Sequence, residues 1–467
     1  MTNRLSSGTP RLDAVLGGGL PRDAISLIIG LPGSGKTIFA QQYAFANATD
    51  DRPAVYFSTV SEPLDKILRY GQGLSFFDAT AVGTRLFYDD LGRVLGDQGL
   101  PGVLEQVREL IRTHQPGIIV IDSFKALYPY AKDPGDFRRF LHDLAGMLSA
   151  YPVTSLWIGE YGETEIAAAP EFAVADAIIA FSTMVTAERE SRMLHVLKLR
   201  GGAHRSGKHA YRITADGLAV FPRLADPPTI EEYELRRTRI SSGIDALDDM
   251  LSEGYWPGAA TLVAGPTGIG KTLMGMHFIF TGVSRGEPGI VATLQENPTQ
   301  LERIARSFGW SFAADDVTLL YRSPVDIYMD EWVYELLECI EKIGATRVLI
   351  DSLGDLQAAS ADHTRFREYT YSLIHRFSRR GVSLMMTYEV PELFGLSKLT
   401  EYGVSHLSDN VVLLQYRDIE ATITRTITIL KTRASDHDPR VQEFQITPDG
   451  IALVKPATAD GGFRHLK

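Results

Sequence analysis

Two stretches of this 467-residue chain read G-x-x-x-x-G-K-T, and they constrain its fold more than any other feature. The first is GLPGSGKT, from Gly30 to Thr37; the second is GPTGIGKT, from Gly265 to Thr272. Each follows an apolar, β-rich run (AISLII and AATLVA) and precedes a helix-like segment. That strand–loop–helix context marks a phosphate-binding loop. Glycines let successive N–H groups point inward as a nest for phosphate oxygens, and the helix adds its positive end. Gly30, Gly33, Ser34, Gly35, Lys36 and Thr37 would therefore cradle one nucleotide. Gly265, Thr267, Gly268, Ile269, Gly270, Lys271 and Thr272 would cradle a second. Lys36 and Lys271 are expected on the β- and γ-phosphates, Thr37 and Thr272 on Mg²⁺.

The two loops belong to an internal duplication. LSSGTPRLDAVLGGGLP near the start matches ISSGIDALDDMLSEGYWP near the middle. GIIVIDS ends at Asp122-Ser123, and RVLIDS ends at Asp351-Ser352. VTSLWIGEY matches VSLMMTYEV, DAIIAFS matches DNVVLLQY, and RMLHVLKLR matches RTITILKTR. Gly30 and Gly265 stand 235 residues apart, Asp122 and Asp351 229, Lys198 and Lys431 233. Such a period is domain-sized, far beyond a solenoid repeat of about 20–50 residues. The Pro-containing, charged stretch ADPPTIEEYELRR (225–237) reads as the linker, giving domains 1–228 and 229–467. Continuous apolar strands alternate with amphipathic patterns such as Val103, Leu104, Val107, Leu110 and Ile111. Trp332, Val333, Leu336, Leu337 and Ile340 repeat that pattern. This predicts an α/β fold with a mostly parallel sheet, flanking helices and a closing β-hairpin in each half. Ligands then sit at the carboxyl ends of the strands.

Asp122 and Asp351 close apolar strands, where a carboxylate holds Mg²⁺ directly or through water. A helix N-cap after the strand is the other reading of Asp-Ser. The single cysteine, Cys339, excludes a disulfide framework and reads as a buried structural thiol. The polar opening MTNRLSSGTP, and the lack of an apolar run of about 18–20 residues, predict a soluble cytoplasmic protein without membrane partners. A net charge of −11 speaks against a nucleic-acid binder, which normally carries a basic footprint.

The tandem loops, the Asp-Ser strand ends, the LKLRG and VSHLSDNVVLL stretches and the paired Lys-x-Arg elements resemble the KaiC family. The likeness covers nearly the whole chain. It implies two RecA-like P-loop NTPase domains that use ATP and Mg²⁺ and assemble as a homohexamer of two tiers. In that family two adjacent glutamates, placed before a proline, activate water. Aligned on Pro298, the second half has Gln295-Glu296, making Glu296 its best base while Gln295 positions water. Aligned on Pro63, the first half has Val60-Ser61, with Glu62 one place late. Weak turnover is expected in the first half and slow hydrolysis in the second. The resemblance also places Lys198/Arg200 and Lys431/Arg433 on the nucleotide of a neighbouring subunit; a solvated hairpin face is the plainer reading. Ser405 and His406 match the Ser-Thr pair that the family's clock member phosphorylates, so Ser405 alone is a candidate phosphosite or an ordinary hydroxyl. A signalling role with a protein partner follows. A RecA-like DNA motor and an ATP-glued scaffold are the competing classes.

Overall fold

In the computed structural model the chain divides into two compact units, Met1–Arg223 and Leu224–Lys467. The structure describes residues 4–60, 64–166, 168–186, 189–224, 238–323, 327–360, 362–390, 404–419, 422–433 and 435–454. The linker assigned to 225–237 and the pair Ser61-Glu62 lie outside the described residues.

In the first unit, β1 (Arg4–Leu5) and β2 (Leu20–Pro21) form a small antiparallel pair. The main sheet uses β3 (Ile25–Gly30), β4 (Ala54–Ser58), β5 (Leu86–Asp90), β6 (Ile118–Asp122), β7 (Thr154–Gly159), β8 (Ala177–Thr186), β9 (Arg189–Leu199), β10 (Lys208–Thr214) and β11 (Gly217–Phe221). Their spatial order is β11-β10-β9-β8-β3-β7-β6-β4-β5. From β8 to β5 every pairing is parallel. Beyond β8 the chain folds back antiparallel, so the expected closing hairpin is one of three antiparallel pairings in succession. Strands β3, β4, β6 and β7 are buried along their whole length. Alternation sends Ile28, Tyr56, Val120 and Leu156 toward Phe39 and Tyr43 of the helix Lys36–Asn47. Leu27, Val55, Ile121 and Trp157 face the helices Gly92–His114 and Pro134–Ser149 instead. The first of these kinks at Gly99 (φ 66°, ψ −159°), just before Pro101. Val103, Val107 and Ile111 are buried as the spacing predicts, and Leu104 and Leu110 are half-buried against the same cluster.

The second unit repeats this plan. It comprises β12 (Ala260–Gly265), β13 (Gly289–Thr293), β14 (Thr318–Tyr321), β15 (Arg347–Asp351), β16 (Ser383–Glu389), β17 (Asn410–Ile419), β18 (Thr422–Lys431), β19 (Gln442–Thr447) and β20 (Gly450–Leu453). The order is β14-β13-β15-β16-β12-β17-β18-β19-β20, parallel from β14 to β17 and antiparallel thereafter. Trp332, Val333, Leu336, Leu337 and Ile340 of the helix Met329–Ile343 are all buried. Cys339 on that helix is half-buried against the core rather than enclosed, because it sits at the edge of the apolar stripe. Burial raises its thiol pKa.

One substitution between the halves ties the phosphate-loop helix to the last hairpin. In the first unit, Gln42 accepts a hydrogen bond from the Leu218 amide at 3.1 Å. In the second, His277 stands at the matching place, and its Nε2 accepts from the Ile451 amide at 3.1 Å. The ring also meets Trp310 edge-on at 4.8 Å. Burial pushes the imidazole pKa down to about 4, against a hydrogen bond to the Gly243 backbone. A depressed basic pKa means the unfolded chain binds the extra proton first. Stability is therefore complete above about pH 6.5 and declines as pH falls toward 4. Between pH 7 and 4.5 this group alone should cost the second unit roughly 2–3 kcal/mol. Denaturant midpoints of wild type and His277→Gln at the two pH values check this: the variant keeps an acceptor, as Gln42 does, and should lose less stability on acidification.

Candidate nucleotide sites

Both phosphate loops leave the carboxyl end of the central strand of their sheet, β3 or β12, and enter a helix at a lysine. Gly35 and Gly270, which precede those lysines, sit in the left-handed region at φ 90° and 118°. A side chain there would be strained, so glycine is required to turn the chain into the helix. Ser34 and Ile269, at matching positions, are buried and anchor the loops from below. The Tyr211 hydroxyl donates to the Ser34 carbonyl at 2.6 Å, and Ile269 packs in the core. Gly33, Thr267 and Gly268 form the exposed lips. In the first unit the loop opens into a cavity of about 900 Å³, whose lining includes Gly33, Lys36, Thr37, Asp122 and Tyr70.

The candidate metal ligands meet in both units. The Thr37 hydroxyl donates to Asp122 Oδ2 at 2.8 Å, and Thr272 donates to Asp351 Oδ2 at 2.8 Å. The Asp-Ser peptide bond is cis in each half. The N-cap reading falls to the serines: Ser352 caps the helix Leu353–Ala359 by accepting from the Asp355 amide, and Ser123 stands at the start of the 3-10 turn Phe124–Tyr130. The aspartates are thus left facing the loop threonines. A hydroxyl and a carboxylate are hard oxygen donors of the kind Mg²⁺ takes, so the donor set fits that ion. The aspartates are braced differently. Asp122 Oδ2 also accepts from the Tyr56 hydroxyl at 2.6 Å, whereas Asp351 accepts from Thr387. Burial raises the Asp351 pKa, opposed by the hydrogen bonds from Thr387 and Thr272 and by the charge of Lys271. Tyr56 and Thr387 could not be picked out from sequence, because nothing local marks a strand residue that reaches across a sheet.

Lys36 Nζ donates to the Leu31 carbonyl and Lys271 Nζ to the Pro266 carbonyl, each at 2.9 Å. Both ammonium groups are folded onto their own loops. Burial lowers both pKa values, while nearby carboxylates raise them: Glu160 and Asp122 for Lys36, Glu389 and Asp351 for Lys271. Glu160 and Glu389 are site residues that the sequence reading missed. Glu160 directly follows β7 and Glu389 ends β16, the strands beside the loop strands, and Glu389 pairs in register with Gly265. The signal was present: each glutamate lies seven residues after the valine that opens VTSLWIGEY or VSLMMTYEV.

Gln295 and Glu296 follow β13, three places from the loop strand, and precede the helix Pro298–Ser307. Gln295 is exposed and Glu296 half-buried, with its amide donating to Thr293 Oγ1 at 3.3 Å. In the first unit, Val60 stands exposed at the equivalent strand end.

The Lys-x-Arg pairs occupy the opposite edge of each sheet. Lys198 pairs with Ile178, which pairs with Leu27, three residues before Gly30. Lys431 pairs with Val411 and hence Leu262, three residues before Gly265. At about 3.3 Å per residue, each lysine lies roughly 10 Å toward the amino edge, on the second strand over from the loop strand, with β8 or β17 intervening. Neither pair approaches the phosphate loop of its own unit. Nor are they an idle solvated face. Lys198 Nζ donates to the Phe172 and Ala173 carbonyls, and Arg200 pairs with Asp176 at 3.2 Å. Lys431 donates to the Ser408 carbonyl at 2.7 Å, Arg433 to the His406 carbonyl at 2.8 Å. Burial, then the neighbouring arginine, lowers both lysine pKa values. Ser405 lies in the short helix Val404–Leu407, one residue before His406; its side chain is outside the described set.

Comparison with known proteins agrees with this geometry. The family model for the KaiC ATPase matches residues 5–225 and again 240–458. The chain is 30% identical to the circadian clock protein KaiC3 of Synechocystis sp., over 97% of this chain and 92% of that protein. It is 28% identical to the circadian clock oscillator protein KaiC of Picosynechococcus sp., over 95% and 88%, and 29% identical to that of Thermostichus vulcanus, over 94% and 87%. Among the described residues, no helix is long and apolar enough to cross a membrane.

Replacing Asp351 by Asn removes the charge that Thr272 and Thr387 both serve. Calorimetric titration should show nucleotide affinity at the second site falling at least about tenfold in Mg²⁺. In EDTA, variant and wild type should bind alike.

Proposed function

The chain belongs to the KaiC family of ATPases, and from that premise we propose a self-assembling ATPase whose second site does the turnover. The observation that carries the reading is the separation of each Lys-x-Arg pair from its own phosphate loop. Cations on the amino edge of the sheet serve no phosphate in their own unit. A second copy docked against that edge would offer them one, which supports sites completed between copies, in a ring of six as the family resemblance implies. The domains we assign run 1–228 and 229–467.

In each site the loop amides and Lys36 or Lys271 bind the phosphates and hold them against the strand ends. Thr37 with Asp122, and Thr272 with Asp351, provide the oxygen donors for Mg²⁺, which when bound screens the phosphate charge. Glu296 takes the proton of the attacking water while Gln295 orients that water. Lys431 and Arg433 reach across to a neighbour's nucleotide and stabilise the charge that develops there. The first half has Val60-Ser61 where the second has Gln295-Glu296, so its site retains ATP with little turnover. Lys198 and Arg200 hold its triphosphate from the adjoining copy.

Ser405 sits beside the carbonyl that Lys431 and Arg433 grip. Ser405 is also the position that matches the family's phosphorylated serine, so autophosphorylation at Ser405 is part of the reading. Its phosphorylation state would then be the signal that a partner protein reads in the cytoplasm.

Incubation with γ-labelled ATP and Mg²⁺ tests both activities. Free labelled phosphate should appear slowly and drop about a hundredfold in Glu296→Gln. Label on the protein should vanish in Ser405→Ala. Label that stays in ATP throughout would contradict the enzyme reading and leave nucleotide as structural glue.

A further inference from the structure

At one position beside the nucleotide sites the first half carries a cation and the second does not. Three residues after Asp122 stands Lys125; three after Asp351 stands Gly354. Lys125 and Glu160 line the same cavity as Lys36, Thr37 and Asp122. Lys125 Nζ donates to the Glu160 carbonyl at 2.5 Å and to the Glu165 carboxylate at 2.7 and 2.9 Å. It also lies 5.0 Å above the Tyr161 ring. Its backbone is fixed from beneath, since neighbouring Phe124 stacks flat on Trp157 with centroids 4.2 Å apart.

We propose that Lys125 is a specificity-determining residue that makes the first site select ATP over ADP, by exchanging Glu165 for the γ-phosphate. The proposal rests on the reading that this loop binds ATP. Asp122 and Thr37 mark the metal and γ-phosphate end of a phosphate-loop site, and Lys125 is one turn of chain from Asp122. Tyr70 and Leu74, which follow the strand-end loop in the chain, line the same cavity. The Lys125 ammonium therefore faces the group that distinguishes ATP from ADP.

The charges argue in the same direction. Around Lys36 the cavity gathers Lys66 and Lys125 against Asp122 and Glu160. At the second loop, Lys271 faces Asp351 and Glu389 without a cation at the Gly354 position. The present partner of Lys125 is easily exchanged. Its side chain is 35% exposed and that of Glu165 45%, and exposed ion pairs of this kind are weak. A γ-phosphate offers more negative charge and more acceptor oxygens than one carboxylate. A site with Ser61 in place of the Glu296 counterpart, and with a cation for the terminal phosphate, holds ATP rather than spending it.

The test uses the full chain with Lys271→Ala, so that nucleotide is read at the first site alone. Titrations with β,γ-imido-ATP and with ADP, both in Mg²⁺, give the affinity ratio. Adding Lys125→Met should weaken β,γ-imido-ATP about tenfold while leaving ADP within about twofold. Lys125→Arg should restore the preference, and Glu165→Gln, which frees the ammonium, should strengthen it. Equal losses for both nucleotides, or an unchanged ratio in Lys125→Met with binding intact, would overturn the proposal alone. A first site that binds neither nucleotide in the Lys271→Ala chain would overturn the ATP-binding reading of that loop, and this proposal with it.

Discussion

The hydrogen bond from a helix-opening threonine to a strand-closing aspartate, made at 2.8 Å in each half, is the contact around which both sites are arranged. It requires the loop strand and the aspartate strand to end at the same level, two places apart in a parallel sheet. Strands buried on both faces supply that level, because a one-residue slip would exchange the two packed faces. The glycines turn the chain at the right height, and the helix brings the threonine back to the carboxylate. What differs between the halves is built outward from this fixed pair: Tyr56 or Thr387 behind it, Lys125 or Gly354 beside it.

The same parallel register explains why a single copy looks incomplete. Phosphate loops belong to the carboxyl edge of the sheet. The antiparallel strands that follow return to the amino edge and deliver Lys198, Arg200, Lys431 and Arg433 there. Cations so far from their own nucleotide make chemical sense if another copy brings its nucleotide to them. Duplication then allows the halves to specialise. One half has Gln295-Glu296 beyond its β13 strand; the other has Val60-Ser61 at the matching positions and Lys125 lining the cavity at its phosphate loop.

Much of this was legible in the sequence because it is local. G-x-x-x-x-G-K-T fixes a turn, a nest and a helix start within eight residues, and apolar runs ending in Asp-Ser announce strands that finish at the ligand. The duplication made each assignment twice. Glu160 and Glu389 were visible as a shared last carboxylate but had no local motif to give them a role. The hold of Tyr56 on Asp122, of Lys125 on Glu165 and of His277 on Ile451 depended on chain separations of 66, 40 and 174 residues. Pattern and spacing say nothing about which side chains meet over such distances. Cys339 was misjudged by degree only, since periodicity gives a face but not how far its margin is covered.

Subunit complementation tests most directly the central claim that hydrolysis occurs at sites shared between copies. Lys271→Ala chains lack a phosphate-loop lysine but keep the cationic pair; Lys431→Ala/Arg433→Ala chains have the reverse defect. Each alone should release little phosphate. Mixed and reassembled, the two should regain hydrolysis wherever an intact loop meets an intact pair. Mixed assemblies that form but stay as inactive as their parents would contradict the account.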